Sequence, residues 1–302
     1  MKKIDFKDLI DFAETFIEIN SKNILTKLSE YNTCIELIKN NYTPTVKDVN
    51  NIGDKDFKDA VVKRMCIQLQ NYQRMPLALD YISYSYNPQN DKGEILNSND
   101  SENEIFQYVI NVIDNKTEID QDSIYSEFKE NYTEKEYKDG KYNFALKKYS
   151  KGIADFVEKI RNNNDYFSDI KTDCINLDNF AQEGNFSEIE KILKNFCKNI
   201  YYLNTTLSYD FFKELYCKNL IKPDVHIKEI FKKYIYKEEE LPDDNTIAKD
   251  FISICKDITT TPYYADKILW LCCTGNFYEE GITIHKMTRR NFFKFIDNEI
   301  SK

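Results

Sequence analysis

The chain has 302 residues, 41% of them hydrophobic and 14% aromatic, and a formal net charge of −9 at pH 7. This apolar content excludes a disordered chain, even though 31% of the residues are charged. The excess of 51 acidic over 42 basic residues counts against nucleic-acid binding, although the distribution of charge matters more than its sum.

The eight cysteines are scattered without a repeated Cys-x-x-Cys spacing. They therefore indicate free thiols in a reducing cytoplasm rather than a metal framework. No apolar run approaches the roughly 20 residues of a membrane span. We expect a cytoplasmic protein without metal, cofactor or membrane association.

The first part of the chain shows helical periodicity. Leu9, Phe12, Ala13 and Phe16 recur at i, i+3, i+4 and i+7, which is typical of an amphipathic helix. Further helical stretches follow at about residues 25–38 and 55–73. We predict a helical accessory region over residues 1–145, in which residues 1–85 are a candidate surface for a protein partner.

The middle of the chain is less regular. Residues 87–104 are rich in Asn, Asp, Ser and Gly, which predicts a polar insertion. Residues 105–113 are rich in β-branched and aromatic side chains, which is compatible with a minor β element or with a buried helix.

Helical stripes occupy the second region, predicted to span residues 146–302. Thr261 and Pro262 form a good N-cap and first helical position before a nearly apolar stretch that must be a core helix. The predicted fold class is mainly α, a bundle of many short helices.

The segment most suggestive of chemistry reads Lys222-Pro223-Asp224-Val225-His226. Proline presets the backbone for a helix start, and the first turn of a helix favours a carboxylate because its N–H groups are free. A capped helix without any chemistry explains these five residues equally well.

The order of elements from about residue 150 to 290 adds context. In order, this region contains a helix, a turn, a helix, the Pro-Asp-x-His segment, a helix and an apolar helix with Leu269-Trp270. This order resembles the helix-hairpin-helix superfamily of DNA glycosylases. The resemblance implies that this half adopts the glycosylase-like fold and that DNA is the partner. It further implies that Asp224 is the catalytic carboxylate for hydrolysis of an N-glycosidic bond. His226 lies two residues on, and this spacing on a helix turns its side chain away from Asp224, so we expect a structural role for it.

The family hairpin, Leu-Pro-Gly-Val-Gly-x-Lys, falls on Leu203–Tyr209, where both glycines are missing. Tyr209 occupies the place of the lysine that forms a Schiff base in bifunctional members, so the resemblance implies a monofunctional enzyme. Tyr201 and Tyr202 are candidates for stacking on a base, or else half-buried core residues. The DNA-binding residues implied are Thr205, Thr206, Ser208, Tyr209, Lys213, Lys222 and Lys228.

Two alternatives stay open at this point. The first is a descendant of the glycosylase fold that has no activity and binds DNA or a protein, which the missing glycines and the acidic net charge favour. The second is an unrelated helical interaction protein, of mobile-element or phage origin, in which residues 222–226 only start a helix.

Overall fold

The computed structural model describes residues 4–21, 35, 46–70, 105–131, 143–236, 240–277 and 282–302. Over these residues the chain is mainly α-helical, which confirms the predicted fold class. The helices are α1 (Phe6–Ser21), α2 (Val46–Asn51), α3 (Asp54–Gln70), α4 (Ile105–Asp114), α5 (Gln121–Asn131), α6 (Asn143–Arg161), α7 (Tyr166–Glu183), α8 (Phe186–Cys197), α9 (Thr205–Leu215), α10 (Val225–Ile230), α11 (Asp244–Asp257), α12 (Pro262–Thr274) and α13 (Arg289–Ile300). Two short antiparallel segments, β1 (Asn276–Phe277) and β2 (Ile282–Thr283), follow α12.

The N-terminal helix α1 packs on the C-terminal helices α12 and α13. The ring of Phe16 lies 5.3 Å from that of Phe292, and the hydroxyl of Tyr264 donates to Glu14 at 2.6 Å. One hydrophobic core therefore includes residues from both sides of position 145. The division into regions 1–145 and 146–302 stays a prediction.

Residues 105–113 form helix α4, so the minor β element allowed for this stretch is wrong. Ile105, Val109, Ile110 and Val112 are buried, and they share one helical face against α3 and α6. Packing of this face overrides the preference of β-branched residues for strands, because intrinsic propensity is only a weak prior.

A helix-turn-helix unit is formed by α8, residues 198–204 and α9. Phe196 at the end of α8 contacts Phe211 and Phe212 of α9, with ring centroids 4.6 and 4.7 Å apart. Asn199 and Tyr202 in the turn have positive φ angles of 65° and 68°. Two residues that are not glycine thus supply the left-handed backbone of this turn.

Helix α12 is the core helix that the sequence predicts. Thr261 is its N-cap and accepts a hydrogen bond from the backbone N–H of Tyr264, Pro262 is its first residue, and Gly275 ends it with a φ of 72°. Helix α10 continues directly into a π-helical turn, Phe231–Tyr236, in which Phe231 stacks on Phe251 of α11.

Some expectations fall mostly or wholly outside the described residues. These are the helical stretch at 25–38, of which only Ile35 is described, the end of the stretch at 55–73, and the polar insertion at 87–104.

Candidate functional site

Asp224 is the N-cap of α10, and it is half-buried. Its Oδ1 accepts hydrogen bonds from the backbone N–H groups of His226, at 2.8 Å, and Ile227, at 3.1 Å. Among the described residues, none donates a hydrogen bond to Oδ2. One oxygen of the carboxylate is therefore held by the helix start, while the other has no hydrogen-bond donor among these residues.

The surroundings of Asp224 come from α10, the end of α12 and the start of α13. Burial lowers the pKa of His226, the carboxylate of Asp224 opposes this, and Arg289 and Lys222 lower it further. The Nδ1 atom of His226 is buried and has no hydrogen-bond partner. Burial also raises the pKa of the Cys273 thiol to about 12, and Asp224 adds to that shift. Asp224 thus lies among charged groups of both signs where these helices meet.

The turn that carries Asp224 is fastened to the interior through Lys222. The ammonium of Lys222 lies 3.0 Å from Oδ2 of Asp210 on α9, and that same oxygen accepts from Arg64 at 3.0 Å and from Gln68 at 2.7 Å. Burial favours the neutral acid, but Lys222, Lys213 and Arg64 outweigh it and hold the pKa of Asp210 well below its usual range. The ionised carboxylate of Asp210 therefore connects α3, α9 and this turn.

Lys213, predicted to contact DNA, is buried beside Asp210. Its ammonium lies 2.5 Å from Asp266, 3.1 Å from Glu214 and 3.4 Å from Asp210. Burial lowers the pKa of Lys213, but the three carboxylates raise it well above its usual range. Burial raises the pKa of Asp266 to about 6 against the effect of Lys213, and Asp224 adds to the rise. Lys213 is a cation of the interior and cannot reach a phosphate without unpacking α9 and α12.

The residues aligned with the family hairpin form the first turns of α9. Asn204 is the N-cap, and its Oδ1 accepts from the backbone N–H of Leu207 at 2.9 Å. Ser208 is buried and donates to the carbonyl of Asn204, and Tyr209 is buried as well, with 2% of its surface exposed. Thr205 is half-exposed.

Acidic side chains lie at this end of α9. The hydroxyl of Thr206 is hydrogen-bonded to Asp244, and Lys228 forms an ion pair with the same carboxylate at 2.5 Å. Burial raises the pKa of Tyr209, and Glu190, Asp243 and Asp244 raise it further. The helix N-terminus where the family would place a DNA phosphate is therefore already close to carboxylates of this chain.

Tyr201 and Tyr202 lie in the turn before α9, on the surface. Tyr201 is 41% exposed, Tyr202 is partly exposed, and their rings are 4.6 Å apart in an edge-to-face arrangement. Backbone contacts fix the turn, because the N–H of Tyr201 donates to Asp155 at 2.9 Å. Of the residues predicted to contact DNA or bases, Tyr201 exposes a large aromatic surface.

The same turn approaches Gly152 in the middle of α6. A Cβ atom on Gly152 would lie 2.8 Å from the carbonyl oxygen of Tyr201 and 3.1 Å from the side chain of Leu69. We predict that Gly152→Ala destabilises the protein by about 1–2 kcal/mol, because the clash exceeds the helix propensity that alanine gains. Urea unfolding measures this loss. Gly53→Ala is the control, because its Cβ would meet only the side chain of Asp56, at an ordinary contact distance of 3.8 Å, and equal stability of the two variants would contradict the prediction.

The ionised cluster also predicts how stability depends on pH. Although burial favours the neutral acid, Lys267, Lys213 and Arg64 lower the pKa of Glu214 to about 2. A lowered folded-state pKa contributes stability that is present above the unfolded pKa and is lost as the pH falls toward 2. We expect Glu214→Gln to unfold with a shallower loss of stability between about pH 4.5 and 2 than the wild type. Urea midpoints across this range measure it, and parallel curves for the two proteins would contradict it.

Sequence reasoning missed the buried charged cluster of Arg64, Asp210, Lys213, Glu214 and Asp266. The one local signal was the pair Asp266-Lys267 within an otherwise apolar helix, since a charge is rarely buried unless it is paired. Its partners lie far away along the chain and cannot be assigned from spacing.

No protein-family model matches the chain, and no match was found among curated proteins or solved structures. What the geometry establishes is the class of fold, an all-α multi-helix protein. Among the described residues, no helix is both long and apolar enough to cross a membrane. The same residues include no group of three or more His, Cys, Asp or Glu side chains that could hold a metal ion.

Proposed function

We propose that this chain is a DNA base-excision protein of the helix-hairpin-helix glycosylase type, and that Asp224 is its catalytic carboxylate. The observation that carries the proposal is the state of Asp224, which is half-buried, with Oδ1 held by two backbone N–H groups and Oδ2 without a hydrogen-bond donor among the described residues. The helix-turn-helix unit that precedes it and the core helix α12 that follows occur in the order found in the family.

The chemistry would be hydrolysis of the bond between a base and its deoxyribose. The base leaves the helical stack at a cost of a few kcal/mol, and positive charge develops on the sugar as the C1′–N bond breaks. The carboxylate of Asp224 stabilises that charge and orients a water, whose oxygen bonds to C1′. The water supplies one proton to the departing base, so the products are a free base and an abasic site.

We further propose that the enzyme is monofunctional. Tyr209, at the place of the family's nucleophilic lysine, has no amine and is buried. Lys213 lies one turn further along α9, but its ammonium is held by three carboxylates that raise its pKa, so it stays protonated. A protonated amine cannot attack C1′ to form an imine, and the strand is left uncut.

The test is base release from a panel of duplexes that carry alkylated, oxidised or deaminated bases. We expect the protein to release a free base from at least one duplex, and the strand to break only after alkali treatment. Strand cleavage without alkali would contradict the monofunctional mechanism. Absence of any released base across the panel would overturn the enzymatic proposal.

A module without activity that binds DNA or a protein is the second candidate. The carboxylate of Asp244 at the start of α9 and the burial of Ser208 and Lys213 favour the loss of activity, because they remove phosphate contacts that the enzyme would use. In that case DNA binding weakens with increasing salt and no product forms. The N-terminal residues 1–85 remain a proposed surface for a protein partner. The buried free thiols, such as Cys174 and Cys255, fit the reducing cytoplasm proposed as the compartment.

A further inference from the structure

A surface groove of about 820 Å³ lies between the second half of α6 and the turn 198–204. Asp155 and Lys159 of α6 form part of one side, and Asn199, Tyr201 and Tyr202 form the other. A groove of this size is large enough for one or two nucleotides, because small-molecule sites typically measure about 300–1,000 Å³.

Aromatic rings are exposed along this groove and next to it. Tyr201 is 41% exposed, and Phe144 at the start of α6 is 68% exposed. Tyr202 is held at a φ of 68°, a backbone region that bulky residues rarely adopt and that costs about 1–3 kcal/mol. The strained backbone at Tyr202 thus belongs to a turn that places two tyrosine rings at the surface.

Each of these rings has a lysine beside it. The ammonium of Lys148 is 4.0 Å from the ring centroid of Phe144 and 4.8 Å from that of Tyr202, and Lys151 is 5.5 Å from that of Tyr201. Alternating rings and ammonium groups match the alternation of bases and phosphates along an unpaired strand.

The two lysines that line the groove already have partners within the chain. Lys159 donates to the carbonyls of Asn195, Phe196 and Lys198, and so it caps the end of α8. Lys151 pairs with Asp155 at 3.1 Å across one helical turn, but 43% of its side chain remains exposed. A pair of this kind contributes little energy in water and can exchange Asp155 for a phosphate.

At the N-terminus of α9, Thr206 is already bonded to Asp244. The groove is lined by two lysines, Lys151 and Lys159, and by two carboxylates, Asp155 and Glu158. We propose that the groove of Tyr201, Tyr202 and Lys151, with Phe144 and Lys148 beside it, binds single-stranded DNA by stacking on its bases. The proposal rests on the proposed function for its DNA partner but does not require any chemistry at Asp224.

The test compares two substitutions at Tyr201, whose backbone N–H is held by Asp155 whatever the side chain. Binding of a fluorescent single strand of about 16 nucleotides is followed by anisotropy at low salt, beside the same sequence as a duplex. We expect Tyr201→Leu to weaken single-strand binding about 5- to 150-fold, the equivalent of one lost stacking contact, and Tyr201→Phe to retain it. The single strand should bind more tightly than the duplex, because stacking needs unpaired bases.

The electrostatic part is tested with Lys151→Gln and with Lys191→Gln as its matched control. Both lysines are exposed and pair with an acid on their own helix, at 3.1 and 3.2 Å. Lys151→Gln should reduce the slope of log affinity against log salt by about 0.7, and Lys191→Gln should leave it unchanged.

Three results would overturn the proposal: no binding of the single strand at low salt, equal affinities of the leucine and phenylalanine variants, or equal slopes for the two lysine variants. A protein that binds the strand through Tyr201 but releases no base would overturn the proposed enzymatic function and leave this site standing.

Discussion

Replacing Asp210 by asparagine is expected to lower the free energy of unfolding by about 3–5 kcal/mol. Asp210 is 4% exposed, and its carboxylate lies within 3.4 Å of the cationic groups of Arg64, Lys213 and Lys222. An amide of the same size can still accept hydrogen bonds but provides no negative charge. The interior would then hold cations with only Glu214 and Asp266 to compensate them.

We also predict the relative losses of unfolding free energy for substitutions within the charged cluster. Lys222→Met should cost less than Asp210→Asn, because Arg64, Gln68 and Lys213 continue to compensate the carboxylate. Lys222 is also the more exposed partner, with 21% of its side chain accessible, so its removal leaves less uncompensated charge in the interior.

Asp297→Asn is a matched control for Asp210→Asn. Asp297 also accepts from a lysine, Lys233 at 2.7 Å, and from the hydroxyl of Tyr234 at 3.2 Å, but 44% of its side chain is exposed. We expect a loss of at most about 1 kcal/mol for this surface pair. Urea unfolding of the wild type and the three variants at neutral pH measures these losses. Losses of similar size for Asp210→Asn and Asp297→Asn would contradict the stabilising role of the Asp210 charge in the interior.

Local signals were sufficient to predict several elements from the sequence. The cap and proline at Thr261-Pro262 and the apolar run after them fix the start of α12, because both act within one helical turn. The spacing of Leu9, Ala13 and Phe16 likewise predicts the buried face of α1. For residues 105–113 the local signal was ambiguous, and only packing against α3 and α6 decides for the helix.

The start of α10 was predicted two residues too early, at Pro223 instead of Val225. The sequence placed Asp224 in the first turn behind Pro223, whereas the structure makes it the N-cap and begins α10 at Val225. This difference matters because an N-cap side chain itself accepts the hydrogen bonds of the helix start. The free oxygen that supports the proposed chemistry follows from this geometry, which five residues of sequence cannot fix.

Side chains of α9 were the hardest to place. The resemblance implied that Lys213 contacts DNA, which requires its ammonium to lie at the surface. Its burial depends on Asp266, 53 positions away, and the burial of its neighbour Asp210 depends on Arg64, 146 positions away. A single sequence carries no record of such pairings, so a buried ion pair and a basic surface look alike in it.

Replacing Asp224 by asparagine is expected to reduce base release about 10²- to 10³-fold while leaving the fold intact. The amide oxygen can still accept from the N–H groups of His226 and Ile227, and asparagine is as good an N-cap as aspartate. The stability should therefore change by less than about 1 kcal/mol. Single-turnover base release and urea unfolding of the same preparation measure the two effects.

A second aspartate provides a control that distinguishes loss of charge at Asp224 from loss of charge at any helix N-cap. Asp243 caps α11 as Asp224 caps α10, and its Oδ1 accepts from the backbone N–H groups of Asn245 and Thr246 at 2.9 and 3.1 Å. Asp243→Asn should retain the wild-type rate, because the role proposed for Asp224 depends on its free oxygen and on its neighbours. If both variants lost the activity equally, or if neither lost it, Asp224 would be only a helix cap. The Pro-Asp-x-His order would then describe how a helix starts in this chain and not how a base is released.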